Sequence, residues 1–156
     1  MKFQIEKDVF QEALNQVQHV VSTRTTLPIL SNVLIEADEL GLQLSTTDLD
    51  VTITKRISAK VSATGKTTLP ARRLASIVRE LPTSEIDFEV NDDNAATVRS
   101  GPSFFKILGL PFDEFPVIGE FGEAKEFTIA QKLLKEALRK TSYAISTDET
   151  RYVLNG

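Results

Sequence analysis

The chain has no cysteine and no tryptophan, and only one histidine, His19. Without cysteine there is no disulfide, no thiolate metal ligand and no cysteine nucleophile. A lone histidine on the flank of a helical stretch does not assemble into a Ser-His-Asp arrangement. No apolar run approaches the roughly 18 residues of a membrane span. Met1–Glu6 lacks the apolar core of a signal peptide, so a cytoplasmic location is the expectation. No phosphate-binding loop is complete: Gly65-Lys66-Thr67 has Lys60 where that motif needs its first glycine. The lysine and threonine there also open a strand, whereas the loop requires a helix N-terminus facing phosphate. What is present is ordinary for a soluble globular protein: 41% hydrophobic and 26% charged residues in 156, enough for one domain with a sizeable core.

Two passages are versions of one another. Phe3, Ile5, Glu12, Ala13, Leu14, Ser22 and Thr23 recur as Phe127, Ile129, Glu136, Ala137, Leu138, Ser146 and Thr147. The offset is 124 throughout, with no gap. So long a period marks a duplicated domain, since solenoid repeats recur every few tens of residues. The expectation is one complete unit over residues 1–122 and the opening of a second over 126–156. Asn155-Gly156 is a dipeptide that begins hairpin turns, and the chain reads as a fragment of a longer protein.

Lys2–Glu6 alternates as a short strand, and Asp8 is placed to cap a helix whose apolar stripe is Val9, Phe10, Ala13, Leu14, Val17, Val20 and Val21. After Pro28 a strand is expected from about Ile29 or Leu30, then another through Leu42 and Leu44. Val51, Ile53, Ile57, Ala59 and Val61 share one parity, which predicts a single strand interrupted at Lys55. Lys66–Leu69 leads into a second helix with Leu74, Ile77, Val78 and Leu81 inward, ended by Pro82. Strands at Ile86–Val90, Ala96–Val98 and Phe105–Ile107 follow. The order is β-α-β-β-β-β-α-β-β-β, with a weaker echo at an offset of 64 (Ile5/Leu69, Phe10/Leu74, Ala13/Ile77, Leu14/Val78). Residues 110–125, with two prolines and two glycines, read as a connector. The second unit is expected to run strand, helix, strand over 126–130, 131–145 and 152–154.

Charge is unevenly placed. The net charge is −4. Residues 71–80 carry Arg72, Arg73 and Arg79 against Glu80, a local +2. Residues 131–141 carry Lys132, Lys135, Arg139 and Lys140 against Glu136, a local +3. The rest of the chain therefore holds −9. Local potential matters more than the total. Lys132, Lys135 and Arg139, at i, i+3 and i+7, line one helix face. Such faces suit phosphate contact, which needs charge but no base-reading geometry. No aromatics are interleaved with them, so stacking on single strands is not indicated. Two other readings remain open on these residues alone: an interaction domain whose basic helices are merely solvated, and a metal-dependent enzyme using Asp48 and Asp50.

Further motifs narrow the choice. Met1-Lys2-Phe3, Arg24-Thr25-Thr26-Leu27-Pro28-Ile29-Leu30, Thr47-Asp48-Leu49-Asp50, Leu69-Pro70-Ala71-Arg72-Arg73, Val98-Arg99-Ser100-Gly101, Leu110-Pro111 with Phe115-Pro116, and Thr150-Arg151-Tyr152 with Leu154-Asn155-Gly156 occur in this order. Together they make the chain resemble, over its whole length, the bacterial replicative sliding clamp, the beta subunit of DNA polymerase III. The resemblance implies an α+β DNA-clamp fold, with two βαβββ-type halves per domain and two helices packed on antiparallel sheets. It implies a homodimeric ring of three-domain subunits whose helices line a central hole. It also implies duplex DNA, the replicative polymerase and the clamp loader as partners, with no cofactor and no catalytic activity. Carried over residue by residue, Arg24 is a DNA-contacting loop arginine, and Arg72, Arg73 and Arg79 are pore cations. Lys132, Lys135 and Arg139 join them by face. Phe105 and Ile107 fall on the strand that meets a neighbouring subunit, and Arg151 and Leu154 on part of a pocket for partner peptides. Asp148 and Glu149 stand where some relatives place a polar DNA contact.

Overall fold

The computed structural model describes residues 1–21, 27–119, 127–146 and 148–154. The chain divides into two compact units, Met1–Ile118 and Gly119–Gly156. In the first, β1 (Lys2–Glu6) leads into α1 (Lys7–Val17), which ends in the 3-10 turn Gln18–Val20. A 3-10 turn at Pro28–Ser31 precedes β2 (Asn32–Asp38), β3 (Gly41–Thr47), β4 (Thr52–Ile57), β5 (Lys60–Ala63) and β6 (Gly65–Pro70). Then come α2 (Ala71–Glu80), β7 (Glu85–Val90), β8 (Ala95–Ser100) and β9 (Ser103–Leu108).

Among the described residues nine strands make two antiparallel sheets, ordered β5-β1-β7-β8-β9 and β4-β3-β2-β6. The unit consists of two interlocked halves. β2-β3-β4 is a meander edged by β6, and β7-β8-β9 is a meander edged by β1, so each half lends its first strand to the other. The offset of 64 has this origin: shifting β1 and α1 by 64 residues lands on β6 and α2. Paired positions are buried alike, Phe10 with Leu74, Leu14 with Val78 and Val17 with Leu81.

One apolar cluster lies between the helices and both sheets. Its centre is three rings. Phe3 and Phe88, directly opposite on β1 and β7, stack at 4.6 Å, and Phe10 of α1 meets both edge-on at 6.2 and 6.1 Å. Each fully buried ring contributes on the order of 2–3 kcal/mol by transfer from water. Phe10, Ala13, Leu14 and Val17 fill the inner face of α1, and Ala71, Leu74, Ala75 and Val78 that of α2. Ala75 replaces Ile77 in the stripe; Ile77 is only half-buried.

Several expectations are corrected. No strand starts at Ile29: with Pro28 in the first turn the chain forms a 3-10 segment, and Ile29 and Leu30 join Leu34 and Phe115 in a second apolar cluster. Val51–Val61 is not one strand. Lys55 sits in the ladder opposite Leu44, and the break falls at Ser58-Ala59, where the chain leaves one sheet as β4 and enters the other as β5. Asp8 does not cap α1; Glu6 holds that position without a side-chain bond, and Asp8 lies in the first turn. The stretch from Leu110 is not a free connector. Leu110 bridges to Thr68, and Phe115 is buried against β2. Gly109 makes that exit possible, because a Cβ there would overlap the Thr68 carbonyl oxygen.

In the second unit α3 (Gln131–Thr141) is followed by the 3-10 turns Ser142–Ala144 and Glu149–Leu154. The helix and its first 3-10 turn match α1 and Gln18–Val20 residue for residue at the 124 offset. The closing bond repeats as well: the Val21 amide donates to the Gln18 carbonyl (3.1 Å) and the Ile145 amide to that of Ser142 (3.3 Å). The strands expected at 126–130 and 152–154 do not form. Residues 127–130 are irregular and 152–154 are 3-10; Leu154 accepts one backbone bond, from the Ser146 amide (2.9 Å), and among the described residues no ladder includes either stretch.

Candidate nucleic-acid interface

α1 and α2 lie antiparallel and hold each other by their ends. Lys7, the first residue of α1, donates its Nζ to the Leu81 carbonyl just past α2 (2.7 Å), and Arg72, in the first turn of α2, donates to the Val21 carbonyl beyond α1 (2.9 Å). A cation in a helix's first turn opposes its own dipole, but each of these lies at the partner helix's negative end, where it is favourable. Lys7 and this use of Arg72 are invisible to sequence reasoning because the contact spans 51–74 residues.

Arg72 therefore has one donor engaged within the fold. Arg73 is exposed, and Arg79 is exposed with its Nε on Glu80 (3.1 Å), an open pair of little energetic consequence. Lys132, Lys135 and Arg139 are exposed on α3, where Lys140 pairs with Glu136 (2.8 Å). Among the described residues Arg73, Lys132, Lys135 and Arg139 engage no acidic partner. α2 and α3 thus each offer guanidinium or ammonium groups to an anionic surface. Arg24 lies outside the described residues. Arg151 lies on the 3-10 segment Glu149–Leu154, its side chain likewise outside them; Leu154, on the same segment, is exposed.

Among the described residues β9 pairs only with β8 and leaves its other edge open. Phe105 is 38% exposed on this edge strand, but Ile107 is 1% exposed. The Ile107 side chain packs into the core of this unit, while Phe105 stays partly open at the strand edge. The opposite parity, Phe104, Lys106 and Leu108, is exposed, with the Arg99 guanidinium 5.2 Å from the Phe104 ring centroid. Leu108 escaped the sequence reading although the alternation carried it.

The Asp48 and Asp50 pair serves a turn, and Asn91 holds another in the same way. Asp48 Oδ1 accepts the Asp50 and Val51 amides (3.1 and 2.7 Å), and Asn91 Oδ1 accepts those of Asp93 and Ala95 (3.1 and 2.9 Å). No three His, Cys, Asp or Glu side chains converge among the described residues. Thr150, through its hydroxyl and amide, holds the exposed Asp148 carboxyl below its usual range. On the outer face of the β2–β4 sheet, Arg56 donates from one nitrogen, Nη1, to both Asp38 carboxylate oxygens (2.9 Å each), and this bond lowers the Asp38 pKa.

Interlocked β-α-β-β-β halves in two antiparallel sheets, with a second copy of the opening helix 124 residues on, define the class: a domain of the DNA-clamp fold. Residues 1–119 match the family model for the DNA polymerase III beta subunit, N-terminal domain, and the chain belongs to that family. It is 40% identical to the beta sliding clamp of Halalkalibacterium halodurans and 36% identical to that of Chlamydia muridarum, in each case over all of this chain and 43% of the relative. Among solved structures, the Bacillus subtilis DNA polymerase sliding clamp superposes with a TM-score of 0.93 at 34% identity, over 98% of this chain and 42% of that one. The Bartonella birtlesii clamp bound to griselimycin gives 0.94 at 39%, over 100% and 42%. The chain thus spans less than half the length of these relatives.

Proposed function

We propose that this chain is the first domain, and the opening of the second, of a ring-shaped DNA sliding clamp that tethers a replicative polymerase. The observation that carries the reading is the match to beta sliding clamps along the whole chain. If 156 residues are 43% of a relative, the whole is about 360 residues, close to three times the 124-residue repeat. Two such subunits joined head to tail, through edge strands such as β9 with Phe105 at the seam, would close a six-domain ring. The helices would line the hole, where Arg24, Arg72, Arg73, Arg79, Lys132, Lys135 and Arg139 meet phosphates without reading bases. Arg151 and Leu154 would contribute to a pocket for short peptides of the polymerase and clamp loader. The protein would act in the cytoplasm as a scaffold without a cofactor or a catalytic step.

Holding DNA by topology while touching it weakly is what lets such a ring slide without falling off. The test is retention of the full-length protein on closed circular duplex. It should stay bound at salt concentrations that abolish simple electrostatic binding, and leave when the circle is cut once. Equal retention on cut and closed DNA would refute the reading.

A further inference from the structure

The two offsets align three copies of one helix, and their solvent faces are not alike. Where α3 carries Lys132, Lys135, Arg139 and Lys140, α1 carries Asp8, Gln11, Asn15 and Gln16 at the 124 offset. At the 64 offset, Arg72 and Arg79 of α2 again correspond to Asp8 and Asn15. Ala13 and Leu14 of α1 recur as Ala137 and Leu138 of α3; the cations are what α1 lacks. Its one lysine, Lys7, is tied to the Leu81 carbonyl. The remaining outer face, Asp8, Gln11, Glu12, Asn15, Gln16 and His19, lines a shallow depression of about 310 Å³. There the amides bond to neighbours on the same face, Gln16 to Glu12 (3.2 Å) and Gln18 to Asn15 (3.1 Å).

Resting on the clamp reading above, we infer that α1 is a repulsive sector of the pore. Phosphate contact from this chain is carried by α2 and α3, while Asp8 and Glu12 hold the DNA backbone off α1 and keep each contact short-lived. A carboxylate near a phosphate is repelled through water, and the repulsion is screened within about 10 Å at 0.1 M salt. Neutral amides supply hydrogen bonds that water can replace, without releasing counterions. A pore cationic on every helix would bind its track more tightly and move along it more slowly, so the missing cations on α1 set the sliding rate.

The test is the diffusion of the loaded full-length protein along circular duplex, followed by single-molecule tracking at 50 and 200 mM salt. Gln11→Lys with Asn15→Lys installs the α3 cations on α1. Two added phosphate contacts, each contributing about 0.9 to the logarithmic salt slope, should slow diffusion by a factor that shrinks about ten-fold across that salt range. Glu12→Gln should slow diffusion at 50 mM with the difference closing at 200 mM. Gln11→Ala with Asn15→Ala should match wild type, whereas Lys135→Gln with Arg139→Gln should diffuse faster with a shallower salt slope. The inference is overturned if the alanine pair on α1 changes diffusion as much as the glutamine pair on α3. It is equally overturned if the lysine pair leaves the salt slope unchanged, or if Glu12→Gln diffuses as wild type. Wild-type protein that is not retained on circles would instead refute the clamp reading itself, and far-UV circular dichroism shows that each surface variant is folded.

Discussion

Replacing Phe3 by alanine should be among the most damaging single changes in the first unit. The ring is fully buried, stacked at 4.6 Å on Phe88 and met edge-on by Phe10 at 6.2 Å. Alanine removes the ring from a site closed by two strands and a helix, which cannot collapse into the space. A large-to-small change of this kind costs about 3–5 kcal/mol. Phe3→Leu keeps most of the volume but loses both aromatic contacts, and should cost about 1–2 kcal/mol. Both tyrosines, Tyr143 and Tyr152, lie in the second unit, so tyrosine fluorescence does not report on this core. Urea unfolding followed by far-UV circular dichroism does. With a slope of about 2 kcal/mol per molar, Phe3→Ala should move the midpoint down by about 2 M. A double-mutant cycle of Phe3→Leu with Phe88→Leu should return a coupling of about 0.5–1.5 kcal/mol. A midpoint shift below about 0.5 M for Phe3→Ala would refute the reasoning, because the three rings would then not be the rigid centre of the core.

Two further changes probe other levels. Gly109→Ala places a methyl group against the Thr68 carbonyl, within 3.0 Å of both the Asn94 carbonyl oxygen and Leu69. Since the clash is with backbone, the crossing of Leu110 over β6 must open, at a cost of about 2–4 kcal/mol in the same assay. For Asp38, the Arg56 hydrogen bond is the largest cause of its lowered pKa. A depressed carboxyl contributes stability that is present above its unfolded value of about 3.9 and lost as pH falls through the folded value. Carboxyl titration by NMR should therefore place the Asp38 midpoint below about 3.9, and Arg56→Met should return it to that range.

How much of this was legible in the sequence follows from which contacts are local. The 124 repeat gave the place of α3 because a helix start is a local feature that recurs with its sequence, but the helix expected over 131–145 ends at Thr141 and continues as the 3-10 turn Ser142–Ala144. The alternation of Ile86, Phe88 and Val90 gave β7 because one of its faces meets solvent. β2 was harder. Leu34 lies on its outer face, yet is covered by Phe115 from far along the chain, so both faces are buried. The switch between sheets at Ser58-Ala59 was hidden because side-chain parity runs from Val51 to Val61 across the break. The cations were legible as charge; their partners were not. Arg72 and Arg73 are adjacent arginines, and only the packing of α1 against α2 brings the Val21 carbonyl to one and leaves the other open. Ile107 looked like Phe105 by parity, but Ile107 is buried in the core and Phe105 stays partly open at the edge.

The claim on which the functional proposal rests is that the whole protein is three copies of the unit described, closed into a ring. The most direct measurement is the mass of the polypeptide as its native source makes it. A chain of 17.3 kDa that covers 43% of a relative's length predicts, on the ring proposal, a polypeptide of about 40 kDa. A native polypeptide of 17.3 kDa would contradict it, since two such chains cannot supply the six domains of the ring.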